Sequence, residues 1–565
     1  MKKWLGIFFV FTLLFTNQTN RVEADSLSGS NSKTTIISTK YGKVEGLLNE
    51  TNSTLTWLGV PYAKPPLGSL RWKAPAEPDS WDGILETKKF GQVCTQQSYG
   101  AVIGSEDCLT LNIWRPNSTD TNLPVMVFVH GGGDTTGSSQ SFKGDVLAQK
   151  ANSIIISINY RLNAEGWFMH PSLKTGNPLD DSGNFGLLDI FQSLKWVQKN
   201  IEYFGGNPNN VTLSGQSAGA RDVLGAVISP LSKGLFQKAW AMSGGMTTAS
   251  PKDAEDKAQD MLVQLVINDK LATNEKDAKT WIQGKSTEFL ANYLRSKGAK
   301  ELTNLAGSPP IKMEPFPHLF ADGFVLPAEG FKSLKNGNYN KVPIVLGSTA
   351  SEFSLFAFQD PYFLPSILDG SIYSDNKKWS LYENTLKFGN KLYAGFNADA
   401  VADQIVNVKD QPGVYAYRFA WGTQEGVIDE TVRKTFGAPH GSDIDFFTGL
   451  DESWINLFYP NKYYTVSNEQ GRRQLHNTMV SYLKNFLYTG NPNGEGLPQW
   501  GTWSNKDNQN RILYFDADQQ NANVYMSDEH LVKNEIVNEM RRNLPKQEYD
   551  TIVEQLFAGR FFWEK

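Results

Sequence analysis

The stretch FGGNPNNVTLSGQSAG, which runs from Phe204 to Gly219, decides the fold of this chain. Its residues Val211 to Leu213 predict a short strand, and the strand leads into Gly215-Gln216-Ser217-Ala218-Gly219. This G-x-S-x-G pattern is typical of a sharp turn from strand to helix, where only glycine fits against the approaching helix. The pattern therefore predicts that Ser217 is an exposed nucleophile above an α/β sheet.

Short, nearly all-apolar runs elsewhere predict strands that are buried on both faces, as in a parallel sheet. Helical spacing from Leu187 to Asn200 places a helix before the Ser217 strand. The predicted fold is α/β, a mostly parallel central sheet with helices on both faces and large insertions at 251–306 and 353–411. The other predicted core strands are Pro124 to His130, Ile154 to Asn159, Ala239 to Ser243, Val342 to Leu346 and Val414 to Phe419.

A serine hydroxyl needs a base, and in α/β-hydrolases an acid and then the base follow the nucleophile along the chain. Four histidines lie beyond Ser217. His440 lies in a Gly-rich loop after a predicted strand, where its side chain can reach the catalytic face. His476 and His530 lie in charged stretches typical of solvated helices, and His318 fits either a core or a loop.

The acid and the oxyanion donors are also predicted to follow core strands. Glu352 lies in a loop after the strand 342–346, and Asp360 is the alternative. His130-Gly131-Gly132-Gly133 closes another strand, and its glycines allow backbone N–H groups to approach a developing oxyanion.

Several of these stretches resemble the type B carboxylesterase and cholinesterase family, whose members have the α/β-hydrolase fold. The sixteen residues ending at Gly219 resemble its serine signature, and Ser105 to Asn112 resembles its second signature. Gly59 to Trp72 and Gly437 to Gly449 resemble its early region and its histidine motif. The resemblance implies a serine esterase whose catalytic residues are Ser217, Glu352 and His440.

The same resemblance implies roles for neighbouring residues. The oxyanion donors would be Gly132, Gly133 and Ala218, and His130 would be structural. Ser243 resembles a family serine that lies near the catalytic residues, and we expect it to hydrogen-bond Glu352 or, alternatively, to bond only to backbone.

Two departures from the family pattern leave an alternative function open, although the complete set of Ser217, Glu352, His440 and the glycines weighs against it. Asp134 stands where the family has an apolar residue, and Phe353 stands where it usually has glycine. A carboxylate at Asp134 would slow or redirect the enzyme if it faced the oxyanion hole, and would matter little if it faced solvent. The alternative is a catalytically weak adhesion or matrix member of the family, because fold alone does not prove turnover.

The substrate is predicted to be an uncharged ester. The loop between Cys94 and Cys108 contains no Trp for cation–π binding of a quaternary ammonium, and Tyr99 is its only aromatic residue. Gln216 replaces the family glutamate before the nucleophile, which removes a negative charge. A lipase that acts on aggregated lipid is a third alternative.

The N-terminus predicts a secretory signal peptide at 1–24, with Lys2 and Lys3, an apolar run and a small-residue cleavage site. The rest, 25–565, is predicted to be one α/β-hydrolase domain that is secreted or lumenal, with no stable membrane anchor. In that oxidising compartment Cys94 and Cys108 can form one disulfide. The predicted glycosylation sites are Asn49, Asn52 and Asn117.

Composition limits the partners of the protein. A net charge of −5 and a pI of about 5.8 give no basic patch for nucleic acid. Six histidines and two cysteines show no metal-ligand spacing, so neither metal nor cofactor is implied. The apolar residues of Leu531 to Met540 have helical spacing, which favours a packed terminal helix over a homodimer face.

Overall fold

The computed structural model of the protein describes residues 35–306, 317–449 and 453–564. An eleven-stranded sheet forms its centre, and two small sheets lie beside the N-terminal part of the chain. In chain order the strands are β1 (Ile36–Ser38), β2 (Lys43–Glu45), β3 (Leu47–Asn49), β4 (Thr54–Pro61), β5 (Ile84–Glu86), β6 (Gln96–Ser98), β7 (Ala101–Ile103), β8 (Thr110–Pro116), β9 (Leu123–Val129), β10 (Ile154–Ile158), β11 (Gly206–Gln216), β12 (Lys238–Met242), β13 (Ile344–Thr349), β14 (Val414–Phe419), β15 (Ile512–Ala517) and β16 (Ala522–Ser527).

The central sheet has the strand order β16-β15-β14-β13-β12-β11-β9-β10-β8-β4-β3. The seven strands from β15 to β10 in this order pair in parallel, and antiparallel strands complete both edges. The order reverses at β9, and in open α/β sheets ligands bind beyond the carboxyl ends of the strands at such a point. The predicted fold class is confirmed, and the predicted core strands correspond to β9 to β14.

Helices cover the sheet and fill the two predicted insertions, with α6 to α9 in the first and α11 to α14 in the second. The helices are α1 (Asp145–Ala151), α2 (Asn163–Gly166), α3 (Pro178–Asp181), α4 (Phe185–Asn200), α5 (Ala218–Ile228), α6 (Pro251–Asn268), α7 (Glu275–Gln283), α8 (Thr287–Arg295), α9 (Ala299–Ala306), α10 (Lys332–Asn336), α11 (Ser354–Gln359), α12 (Leu364–Leu368), α13 (Asn376–Ala394), α14 (Ala400–Ile405), α15 (Glu430–Thr435), α16 (Asp443–Thr448), α17 (Ile455–Phe458), α18 (Glu469–Thr489), α19 (Lys533–Asn543), α20 (Lys546–Thr551) and α21 (Phe561–Glu564).

The sheet separates two hydrophobic cores. Strand β13 contributes to both, because side chains alternate along a strand: Ile344 and Leu346 pack in one core and Val345 in the other. The first core includes apolar residues of α4, α5 and α6, and the second includes those of α1, α13 and α18. Burial on both faces explains why these strands are nearly all apolar in the sequence.

In the C-terminal region, one pair of strands was not predicted and one helix was. Strands β15 and β16 extend the sheet as an antiparallel pair at its edge. The apolar residues Ile536 and Met540 of α19 are buried within the second core, as expected of a packed terminal helix. Association of two copies through this helix stays a prediction.

The disulfide loop folds into a hairpin of β6 and β7, and the structure joins Cys94 to Cys108. The amides of Asn49 and Asn52 both donate to Asp145, and glycosylation of Asn49, Asn52 and Asn117 stays a prediction. The predicted signal peptide lies outside the described residues. In the described ranges no helix is both long and apolar enough to cross a bilayer.

Candidate active site

Ser217 lies in a strained turn between β11 and α5. Its φ of 58° and ψ of −123° are unusual for a residue other than glycine. A Cβ on Gly215 would lie 2.4 Å from the carbonyl oxygen of Gly219, and a Cβ on Gly219 would lie 2.2 Å from that of Val129. The two glycines therefore allow the turn, and Ser217 stands half-exposed above the sheet at the N-terminus of α5.

Glu352 and His440 meet although 88 residues separate them. His440 Nδ1 lies 2.5 Å from Glu352 Oε2, and Ser243 donates to Glu352 Oε1 at 2.5 Å. The backbone N–H of Thr349 also donates to Oε1, at 2.9 Å. The carboxylate is fully buried, and all of its hydrogen bonds hold it toward the imidazole.

The electrostatics of this pair keep the carboxyl ionised. Burial by itself raises the pKa of Glu352, but the charge and hydrogen bond of His440 and the hydroxyl of Ser243 lower it below the ordinary value. An ionised Glu352 accepts a hydrogen bond from Nδ1–H, so the neutral imidazole keeps its proton on Nδ1 and leaves Nε2 unprotonated.

The loops that carry Glu352 and His440 are tied together by their backbones. The N–H of Ser351 donates to the carbonyl of Ala438 at 3.0 Å, and Ala438 N–H donates to Ser351 Oγ at 3.2 Å. The loops follow β13 and β14, which are adjacent and parallel. The sheet register thus brings the two side chains to one edge.

His440 Nε2 is bonded to Gln216, the residue before Ser217. The Gln216 amide nitrogen lies 3.1 Å from Nε2, and among the described residues Ser217 Oγ makes no hydrogen bond to His440. A Cβ on Gly131 would lie 3.0 Å from Gln216 Oε1, and one on Gly441 would lie 3.2 Å from its amide nitrogen. Two glycines therefore make room for this amide beside the imidazole, a contact that the sequence did not predict.

The glycine turn that carries two of the expected oxyanion donors, Gly132 and Gly133, begins beside the nucleophile at Gly131. A Cβ on Gly131 would lie 2.8 Å from that of Ser217, which shows how closely the glycine turn approaches. In the described part of the chain, no acceptor takes a hydrogen bond from the N–H of Gly132 or Gly133. Ala218 is the first residue of α5, where a helix supplies no acceptor for the N–H.

Two side chains, Gln96 and His130, hydrogen-bond the backbone of the glycine turn at 131–137. Gln96, in the disulfide hairpin, makes two hydrogen bonds to the backbone of Gly137, at 2.8 and 2.9 Å. His130 donates from Nδ1 to the carbonyl of Gly131 at 2.8 Å, and burial lowers the pKa of His130 to about 4. His130 is therefore neutral and bonded to the backbone.

Asp134 does not face solvent, so the second of the two alternatives for this carboxylate does not apply. It is 2% exposed, with the Tyr160 hydroxyl 3.1 Å from Oδ1 and His318 Nε2 3.4 Å from Oδ2. Burial, and then the charge of Asp134, raise the pKa of the neighbouring Asp222 well above its ordinary value. Asp134 thus belongs to a buried polar cluster behind the glycine turn.

The other candidate residues lie elsewhere. Asp360 forms a buried ion pair with Arg560 and does not reach His440. His476 was predicted to be solvated but is buried, with Nδ1 2.7 Å from the carbonyl of Phe446, because the inner face of α18 packs on the second core. His530 lies in a loop, not a helix, 2.9 Å from Asp403.

Two aromatic rings that the sequence did not reveal pack against the imidazole of His440 and against each other. Tyr393 of α13 stacks on it with a centroid distance of 5.7 Å, and Phe356 of α11 lies at 5.3 Å. These helices are parts of the second insertion. Within the described ranges, no group of three or more His, Cys, Asp or Glu residues is placed to hold a metal ion.

The mostly parallel sheet, the strained serine between strand and helix, and the carboxylate–imidazole pair at the same sheet edge define an α/β-hydrolase. The chain belongs to the carboxylesterase family, whose model matches residues 33–387 and 371–537. It is accordingly a carboxylic ester hydrolase.

Individual relatives agree with this assignment. The chain is 31% identical to para-nitrobenzyl esterase of Bacillus subtilis (strain 168), covering 85% of this chain and 94% of that protein. It is 30% identical to human cocaine esterase, covering 84% of this chain and 86% of that protein. A solved structure of a PNB esterase superposes with a TM-score of 0.65 at 28% identity, covering 92% of this chain and 100% of that one.

Proposed function

We propose that the protein is a secreted serine carboxylesterase that hydrolyses uncharged carboxylic esters through an acyl-enzyme on Ser217. His440 acts as the general base and acid, and Glu352 orients it. The observation that carries this proposal is the hydrogen-bonded series Ser243–Glu352–His440 beside the strained Ser217 turn. Gly132, Gly133 and Ala218 would donate N–H groups to the oxyanion.

In the first step the Ser217 hydroxyl attacks the ester carbonyl while His440 Nε2 takes its proton. The tetrahedral oxyanion is stabilised by the backbone donors, and each donor is worth about 3 to 4 kcal/mol. His440 then gives the proton to the departing alcohol. Water, activated by the same nitrogen, hydrolyses the acyl-enzyme and restores the hydroxyl of Ser217.

Before Ser217 can attack, the hydrogen bond between Gln216 and His440 must be broken. The Gln216 amide donates to the nitrogen that must accept the proton of Ser217. Hydrogen bonds in substrate-free sites often differ from those of the reacting complex. We infer that the entering substrate displaces the amide of Gln216.

The preference for uncharged esters is supported by the residues near the site. Gln216 carries no charge toward the cleft, and Tyr99, the aromatic residue of the disulfide hairpin, is 37% exposed at the surface. The Bacillus subtilis relative is named for para-nitrobenzyl esters, which supports hydrolysis of esters other than choline esters.

The test is hydrolysis of p-nitrophenyl esters from acetate to palmitate, together with covalent labelling by an organophosphate. We expect turnover of the shorter esters and a phosphorylated peptide that contains Ser217. Turnover that increases sharply above the solubility limit of the long esters would favour a lipase. A folded protein with neither turnover nor label would refute the proposal and favour the adhesion alternative.

Secretion is tested separately by expression in a secreting host. We expect the protein in the medium with a mature N-terminus at Asp25, as measured by mass spectrometry of the intact chain and its peptides. Retention of residues 1–24 on a cell-associated protein would contradict secretion.

Gln216→Ala is expected to raise kcat/KM roughly twofold to tenfold, because it removes a competing hydrogen bond of ordinary net strength from His440. Gln216→Glu is expected to move the acid limb of the pH–rate profile up by about one unit, because a carboxylate stabilises protonated His440. Both results are read from kcat/KM for p-nitrophenyl acetate across pH 5 to 9.

The matched control is Gln198→Ala. Gln198 is also half-buried, but it donates to the carbonyls of Pro208 and Leu235, away from the site. Its kcat/KM should equal that of the wild type. A loss of activity in Gln216→Ala would mean that the amide assists catalysis instead of competing with it.

A further inference from the structure

The C-terminal segment, Lys546–Glu564, packs beside the candidate active site although the family match ends at residue 537. It consists of α20, a π-helical turn (Ile552–Phe557) and α21. Three of its phenylalanines are buried: Phe557, Phe561 and Phe562 are 0%, 7% and 1% exposed. Each of them contacts an element that carries or supports a catalytic residue.

Phe562 supports the ring that stacks on the general base. Its centroid lies 5.3 Å from that of Tyr393, and Tyr393 lies 5.7 Å from His440 with an angle of 15° between the planes. Tyr393, Phe562 and His440 are 4%, 1% and 7% exposed, so the three rings form a buried series in which Phe562 is tilted by 34° against Tyr393. Because packed side chains occupy defined positions, the location of Phe562 limits where Tyr393, and through it the imidazole, can move.

The C-terminal segment packs against Phe353, the residue that follows Glu352. Phe353 packs its ring against those of Phe557 and Phe562, at 5.4 Å in both cases. The guanidinium of Arg560 lies 4.6 Å from the centroid of Phe353, and its Nη2 forms an ion pair with Asp360 at 2.9 Å. Phe353, where the family usually has glycine, thus gives the segment a binding surface beside the acid.

Phe561 contacts α5, the helix that follows Ser217. The guanidinium of Arg221, in the first turn of α5, lies 4.9 Å from the ring centroid of Phe561, and His318 lies at 6.2 Å. The segment therefore contacts the helix that begins after Ser217, the loop of Glu352 and the ring that stacks on His440.

We propose that Phe562, in the C-terminal segment, is a positioning residue that holds the imidazole of His440 in place through Tyr393. This rests on the proposed function of His440 as the base. With Phe562 truncated, Tyr393 can move into the vacated space and the imidazole loses its fixed plane. Catalytic groups must keep their geometry closely, and a displacement of about 1 Å can lower the rate 100-fold.

The experiment compares Phe562→Ala with Trp563→Ala, in the same short helix. Trp563 contacts Phe557 and Lys533, and it is partly exposed. We expect Phe562→Ala to lower kcat for p-nitrophenyl acetate about 10- to 100-fold with KM within about twofold of the wild type. Trp563→Ala should keep kcat within about threefold, since it leaves the Tyr393 stack in place.

A second readout does not need turnover. The proton that His440 Nδ1 shares with Glu352 should give a far-downfield proton NMR signal, identified by its loss in His440→Gln. We expect this signal to broaden or shift in Phe562→Ala and to stay unchanged in Trp563→Ala. Phe562→Leu, which keeps much of the volume, should recover most of kcat and of the signal, and it serves as the test variant if Phe562→Ala does not fold.

The outcomes are distinguishable. Equal kcat and equal NMR signals in the Phe562 and Trp563 variants would overturn the positioning role, whatever the activity of the wild type. If the wild type hydrolyses no ester but the signal still depends on Phe562, the proposed function fails and the positioning role stands.

Discussion

Ser217→Ala should abolish ester hydrolysis, with kcat/KM reduced by roughly 10⁴-fold or more. The substitution removes the hydroxyl that forms the acyl-enzyme, while His440, Glu352 and the backbone donors remain. Background hydrolysis by water in the site should persist at a low level, because oxyanion stabilisation does not need the nucleophile. Steady-state hydrolysis of p-nitrophenyl acetate and loss of organophosphate labelling measure the effect.

The matched control is Ser214→Ala, which removes a serine hydroxyl three residues earlier on β11. Ser214 is buried and donates to the carbonyl of Val127 at 3.4 Å, away from the cleft. We expect its activity to equal that of the wild type. If Ser217→Ala retained wild-type turnover with normal labelling, another residue would be the nucleophile and the mechanism proposed here would be wrong.

Glu352→Gln should lower kcat roughly 10³- to 10⁴-fold with little change in KM, since exchange of the carboxylate for an amide has about this effect in a serine protease triad. The amide of the new glutamine would donate to Nδ1 of His440, which leaves the proton on Nε2. That tautomer cannot accept the proton of Ser217. Steady-state kinetics with p-nitrophenyl acetate and thermal unfolding of the same preparation separate this loss from unfolding.

Ser243→Ala should have a smaller effect on kcat than Glu352→Gln. It removes one hydrogen bond to Glu352 but keeps the carboxylate and its bond to His440, so kcat should fall only about tenfold. A loss as large as that of Glu352→Gln would mean that Ser243 has a role of its own. Wild-type rates in Glu352→Gln would show that another group orients His440.

The ionisation of Glu352 also has a consequence for stability. Its pKa is lowered in the folded protein, so its ionised form stabilises the fold fully above the ordinary carboxyl pKa. This contribution is lost as the pH falls toward the lowered value. The acid limb of activity near neutral pH should therefore not arise from protonation of Glu352.

Much of the site could be predicted from the sequence because its chemistry is encoded locally. The Ser217 turn needs glycine at both flanks, and the sequence shows those glycines directly. Glu352 and His440 each follow a buried, apolar strand, and parallel strands deliver the residues after them to one edge. Chain order limited the candidates, and the resemblance of residues 437–449 to the family's histidine motif favoured His440 among the four histidines.

Other features had no local pattern. The prediction that His476 is exposed to solvent was wrong. The charged residues near it in the sequence lie on the outer face of α18, whereas His476 lies on the buried inner face. Strands β15 and β16 were missed because an edge strand such as β16 mixes polar and apolar residues. The burial of Asp134 depends on Tyr160 and His318, which come from distant parts of the chain.

The sequence by itself determined the α/β-hydrolase fold, the family and the candidate catalytic residues, since each rests on short motifs, apolar runs and their order. The tertiary structure alone decided what surrounds His440: the amide of Gln216 on Nε2, and the stack of Tyr393 backed by Phe562. Phe562 lies 122 positions beyond His440, and no spacing rule relates them. Such contacts form where segments that are distant in the sequence pack together, and close packing depends on the shapes of all neighbouring side chains at once.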